Sequence, residues 1–177
     1  MLWPAFTYKG TVYDLAHLHP MPVVYVRSAE GDQPERQYKV DITYSLHCFS
    51  HKIKTGECPE SGLLCSDHLE TRVFDFDRWK LSFRLPEIIE ALMQQKCFHT
   101  GHNNFFTIEL LAGKSIVKYE IFFTVSKSSI KGRLNLFVQT AFVRTGPPPP
   151  TQRRNPPIKF NFILYNTLNN LQIKLPK

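Results

Sequence analysis

The chain has 177 residues, 42% hydrophobic and 21% charged, which fits one folded domain with or without a tail. No apolar run approaches the roughly 20 residues of a membrane helix, the start has no signal-peptide pattern, and four cysteines are too few for a disulfide scaffold. The expectation is a cytoplasmic protein without membrane contact, and its formal +7 is unevenly spread: all 15 acidic residues lie at or before Glu120, so the last third is purely basic.

In chain order, residues 6–9 and 11–15 read as a short hairpin turning at Gly10. Residues 23–27 suit a strand, and 29–36 a polar loop with Gly31 and Pro34. Along 38–49, Tyr38, Val40, Ile42, Tyr44 and Leu46 share one face, as in a half-buried strand running into His47. Residues 51–70 read as a long irregular connection, and 71–76 as a strand. The main helix is expected at 86–96: Pro86 suits the first helical position, and Ile88, Ile89, Leu92 and Met93 form an apolar stripe. Three strands, 105–111, 117–126 and 133–144, then form an antiparallel meander, with a tight turn at 112–114 and a basic loop at 126–132. In the last, Leu134, Leu136, Val138, Thr140 and Phe142 are expected to share a face. The fold class is therefore α+β, mainly antiparallel sheet with one main helix followed by a three-stranded meander. The domain spans 1–145, a Pro-rich basic linker 146–157, and a tail 158–177 in which 158–165 could pair as a strand.

A field of one sign attracts polyanions, so the basic last third points to RNA, another polyanion or an acidic protein partner or inhibitor. Lys127, Lys131, Arg133, Gln139, Arg144, Arg153 and Arg154 are the candidate nucleic-acid contacts, with basic, polar and aromatic side chains alternating on a sheet. Metal-free RNA cleavage uses a histidine to move the 2′-hydroxyl proton and a cation to meet the phosphorane charge. The histidine pairs are His17/His19, His47/His51 and His99/His102, and Arg72, Arg78, Lys131, Arg133 and Arg144 are candidate cations. His47 is the first choice for the proton, with Arg72, Arg133 and Thr140 at the phosphate. Cys48, His51, Cys65 and His68 also repeat a Cys-x2-His spacing that structural zinc sites use. Against this, Cys48 and Cys97 read as small core residues and the loop cysteines as incidental. No cofactor or metal is assigned.

Pro4 through Lys9, Tyr13 through Pro20, Tyr44 through Phe49, Leu85 through Ile89, Asn104 through Thr107 and Phe122 through Arg144 resemble the bacterial stationary phase growth adaptation proteins. That resemblance implies a single cytoplasmic domain ending near Arg144. A helix followed by strands ending in Phe137 to Phe142 is also similar to the barnase, colicin and RelE type of ribonuclease toxin. It implies that Gln139 or Thr140 lines a site with a histidine and Arg or Lys. The chain departs from that group in having no histidine on the expected helix and extra N-terminal strands. The functional expectation is a growth-adaptation protein that contacts RNA and cleaves it as an endoribonuclease. The alternative is a non-enzymatic module for nucleic acid or an acidic protein, zinc-stabilised in one version.

Overall fold

A computed structural model describes residues 2–101, 104–111, 116–147 and 156–173. The chain opens with β1 (Phe6–Tyr8) and β2 (Thr11–Tyr13), paired through a two-residue turn. Lys9 and Gly10 both take positive φ there, 48° and 79°, as hairpin turns that follow the natural strand twist require. Next come β3 (Met21–Arg27), β4 (Arg36–Tyr44), β5 (Ser50–His51), β6 (Leu64–Ser66) and β7 (Thr71–Phe74). Two short helices, α1 (Phe76–Ser82) and α2 (Leu85–Glu90), precede β8 (Lys96–His99), β9 (Phe105–Leu111), β10 (Val117–Lys127) and β11 (Arg133–Val143). The described part closes with β12 (Ile158–Lys159) running into α3 (Phe160–Leu168).

Seven strands form one sheet in the order β12-β8-β9-β10-β11-β4-β3, and β5-β7-β6 form a separate small sheet. Every pair in the large sheet is antiparallel except β11 with β4, which run parallel from Arg133 opposite Lys39 to Val138 opposite Tyr44. On one face Val40, Ile42, Tyr119, Ile121, Phe123, Leu134 and Leu136 are buried. Ile88 and Ile89 of α2 and Phe160, Ile163 and Leu164 of α3 join them in one core. On the other face Phe98, Phe106, Phe122 and Phe142, one from each of β8 to β11, stack in a row with ring centroids 5.1, 5.3 and 5.8 Å apart.

This architecture corrects the expected fold class. There is no single main helix over 86–96. Its first part is α2; Ala91–Met93 make a 3-10 turn, and Lys96 already begins β8. The reason lies beyond Met93, where Cys97 and His99 alternate into the interior and pair with β9, a period of two that no helix supplies. β9, β10 and β11 pair in succession, but as the middle of a mixed seven-stranded sheet. Residues 158–165, considered as a strand within a tail, are mostly α3. Phe160, Ile163 and Leu164 recur at helical spacing and are at most 1% exposed.

The face expected to run from Leu134 through Phe142 is broken. Phe122 pairs with Thr140 but Phe123 with Val138, which leaves Gln139 as the extra residue of a β-bulge. Beyond it the alternation reverses. Ala141 becomes the buried residue, and Thr140 and Phe142 turn to the opposite face. The expected turn at 112–114, together with His102, Arg153 and Arg154, lies outside the described residues.

Candidate functional site

The bulge at Gln139 is also where the 3-10 turn Leu46–Cys48 is fastened. Ser45 Oγ donates to Gln139 O at 2.5 Å and accepts from His47 N at 3.0 Å, which caps the turn and fixes His47 beside β11. His47 Nε2 is hydrogen-bonded to Glu70 Oε1. Arg72 Nη1 donates to Glu70 Oε2 at 3.2 Å, and Arg72 Nε donates to Ser50 Oγ at 3.0 Å. The Glu70 carboxyl is held below its ordinary range, first by the His47 hydrogen bond and then by Arg72, against partial desolvation. His47 and Glu70 remain 36% and 38% exposed, so both reach solvent, whereas Arg72 is buried.

A second group adjoins the first. Asp75 caps α1: its Oδ1 accepts from Asp77 N at 3.1 Å and Arg78 N at 3.0 Å. Its Oδ2 faces His51 Nδ1 at 3.2 Å, while Glu57 Oε1 faces His51 Nε2 at 3.1 Å. Arg78 Nη1 donates to His47 O at 3.1 Å and Ser50 O at 2.8 Å, tying the two groups together. Burial lowers the pKa of the Arg78 guanidinium, against the pull of Asp75. Beside it a cleft of about 480 Å³ runs between α1 and the end of β11, lined among others by Asp75, Arg78, Phe142, Arg144 and Thr145. The Arg78 and Arg144 guanidinium groups lie 5.7 and 5.4 Å from the Phe142 ring centre.

The other expected residues scatter. Thr140 stands half-buried on β11 opposite Phe122 and is hydrogen-bonded to none of His47, Glu70 or Arg72. Arg133 is held by both oxygens of Asp41, and Arg144 donates to Glu120 at 2.5 and 2.6 Å. Gln139 accepts from Asn104 Nδ2 at 2.8 Å. Lys127 and Lys131 are exposed around the β10–β11 turn. Thus two arginines expected to meet phosphate meet carboxylates of their own chain.

Residues 5–168 match the YjaZ family. Over 179 aligned residues the chain is 31% identical to Protein YjaZ of Escherichia coli (strain K12), covering 98% of this chain and 95% of that protein. The chain belongs to the YjaZ family. No solved structure matches it. Membership of the YjaZ family replaces both resemblances drawn from sequence, to the stationary phase growth adaptation proteins and to the barnase, colicin and RelE type of toxin.

In this YjaZ-family chain the Cys/His spacing does not gather a metal site. Cys48 is wholly buried with Sγ 3.7 Å from Val138 O, and burial pushes its thiol up to about 12. Cys65 points at Arg72 O, with its thiol pushed up to about 11, and His51 is taken by Asp75 and Glu57. Among the described residues no three His, Cys, Asp or Glu side chains come together as metal ligands would. His17 and His19 are structural, bonding Ser82 Oγ at 2.7 Å and Trp3 O at 2.9 Å. No helix among the described residues is long and apolar enough to cross a membrane.

Sequence reasoning passed over the organising role of Asp75 and Glu70. Asp75 carried a readable signal, a helix-capping residue just before the aromatic Phe76 and Trp79. Glu70 carried none. Chemically, an ionised Glu70 accepting from His47 Nε2–H leaves Nδ1 as the basic nitrogen of the ring. Such an oriented, solvent-accessible histidine beside cations can take up and return a proton.

Proposed function

We propose that the protein contacts RNA in the cytoplasm along the cleft between α1 and the end of β11, and that His47 moves protons in a metal-free cleavage of the backbone. What carries the reading is one juxtaposition: His47 and Arg72, picked separately from the sequence, meet on the same carboxylate, Glu70. In the reaction His47 Nδ1 takes the 2′-hydroxyl proton and the 2′-oxygen attacks phosphorus. The bond to the 5′-oxygen breaks, and that oxygen takes a proton from water. Arg78, 23% exposed at the cleft, supplies the charge that meets the phosphorane. Arg72, buried and committed to Glu70 and Ser50, is a positioning residue.

The test is cleavage of labelled structured RNA in excess chelator by the wild type and by His47→Ala. Loss of cleavage in the variant, at an unchanged melting temperature, is expected. RNA left intact by the wild type overturns the cleavage step. If salt-sensitive binding then persists, the protein is a non-enzymatic polyanion-binding module.

A further inference from the structure

A second cavity lies away from the His47 cluster, where β3 ends, β4 begins and α3 starts. It measures about 470 Å³, within the range of small-molecule sites. Arg27, Arg36 and Lys159 line it together with Tyr38, Phe162 and Tyr165, and no carboxylate does. Glu30, Asp32 and Glu35 belong to the same β3–β4 connection but stay outside the lining. Three cations around one cavity repel one another, and among the described residues none of the three forms an ion pair. Elsewhere the chain places carboxylates on its semi-buried arginines, Asp41 on Arg133 and Glu120 on Arg144.

Other features raise the positive field. Arg27 spends its terminal nitrogens on Gln33 Oε1 and Pro34 O, and its Nε is buried with no partner. The β12–β8 register sets Lys159 directly opposite Lys96, a like-charge pair that destabilises the edge unless an anion offsets it. Lys159 is also the N-cap of α3, with no side-chain cap and no acidic residue in the first turn, so the helix dipole adds to the same sign. The lining offers aromatic surface as well. Phe162 is 49% and Tyr165 39% exposed, and the Arg36 guanidinium lies 4.8 Å from the Tyr165 ring centre. Charge for a phosphate and a half-exposed aromatic wall for a flat ring stand side by side.

We propose that this cavity binds a nucleoside monophosphate, with the phosphate among Arg27, Arg36 and Lys159 and the base against Phe162 and Tyr165. The site is independent of the His47 cluster and needs no cleavage.

Calorimetric titration of the full chain with the four nucleoside 5′-monophosphates tests it, with the matching nucleosides and inorganic phosphate as separate arms. At least one monophosphate binds about tenfold or more tighter than its nucleoside and than inorganic phosphate, and binding weakens with salt. Arg36→Gln and Lys159→Gln each weaken it about tenfold, consistent with loss of one charged hydrogen bond. Both side chains are exposed, so neither change lowers the melting temperature of the unliganded protein, and Lys159→Gln raises it slightly by removing the repulsion from Lys96. Phe162→Ala weakens the monophosphate and leaves inorganic phosphate unchanged. The proposal is overturned if none of the four binds, if nucleoside or inorganic phosphate binds as tightly as the monophosphate, or if the two charge variants bind like the wild type.

Discussion

β11 is bounded by two arginines whose situations differ. Arg133 begins the strand and grips Asp41, with the two side chains 29% and 36% exposed. Arg144 follows the strand and grips Glu120, at 17% and 2%. Both pairings are two-pronged, so geometry does not separate them; solvent does. At the Arg133 end water competes for both partners, and the pair adds little. At the Arg144 end the carboxylate has left water altogether, so it depends on its partner even though the intact pair contributes modest net stability. A third pair inverts the second: Arg72 is buried at 8% while its partner Glu70 is 38% exposed.

The largest expected effect comes from removing the buried carboxylate's partner. Arg144→Ala should cost about 3–5 kcal/mol in urea unfolding, because Glu120 is left charged and unmatched inside. Glu120→Gln keeps the shape and one acceptor and should cost about 1–3 kcal/mol by the same measurement. Replacing both residues by leucine should bring stability back to within about 1 kcal/mol of the wild type. If the double variant is as unstable as Arg144→Ala, the ion pair itself is stabilising and the contrast between the strand's two ends is wrong. Arg133→Ala should be far milder, and its effect should vanish at 1 M salt while that of Arg144→Ala persists. The smallest effect concerns Glu70, whose folded pKa is depressed from an ordinary 4.5. Its contribution is present above that value and is lost as pH falls through the lower folded one. Urea midpoints between pH 5 and pH 3 should therefore fall less steeply in Glu70→Gln than in the wild type.

What could be read beforehand follows the range of the forces involved. The alternation of Tyr38, Val40, Ile42 and Tyr44 is local and visible, because one face of β4 is buried along its length. The bulge at Gln139 is not visible. It answers to Ser45, 94 positions away, and no residue type at 139 announces it. α3 carried both periods at once, since Phe160, Phe162, Leu164 and the helical set Phe160, Ile163, Leu164 coexist in one stretch, and packing beneath the sheet selected the second. For the candidate site, residue chemistry pointed to His47 and Arg72. Their joint partner Glu70 sat among ordinary surface charges until β6 and β7 folded it back toward the 3-10 turn. The basic last third misled in one respect. An acid-free sequence suggested free cations on β11, but the acids that match Arg133 and Arg144 come from β4 and β10.

The parallel pairing of β4 with β11 has a consequence for synthesis. β4 leaves the ribosome long before its neighbour, with Lys39 to Tyr44 waiting for Arg133 to Val138. Until β11 arrives, the β4 edge of the β3–β4 hairpin is unpaired and its apolar face uncovered, the kind of surface on which nascent chains associate with one another. Phe160, Ile163 and Leu164, which help close that core, come later still. Completion of this core is thus held back until β11 and α3 have both been translated, so a ribosome stalled anywhere before β11 displays an unfinished sheet, a substrate for chaperones and proteases.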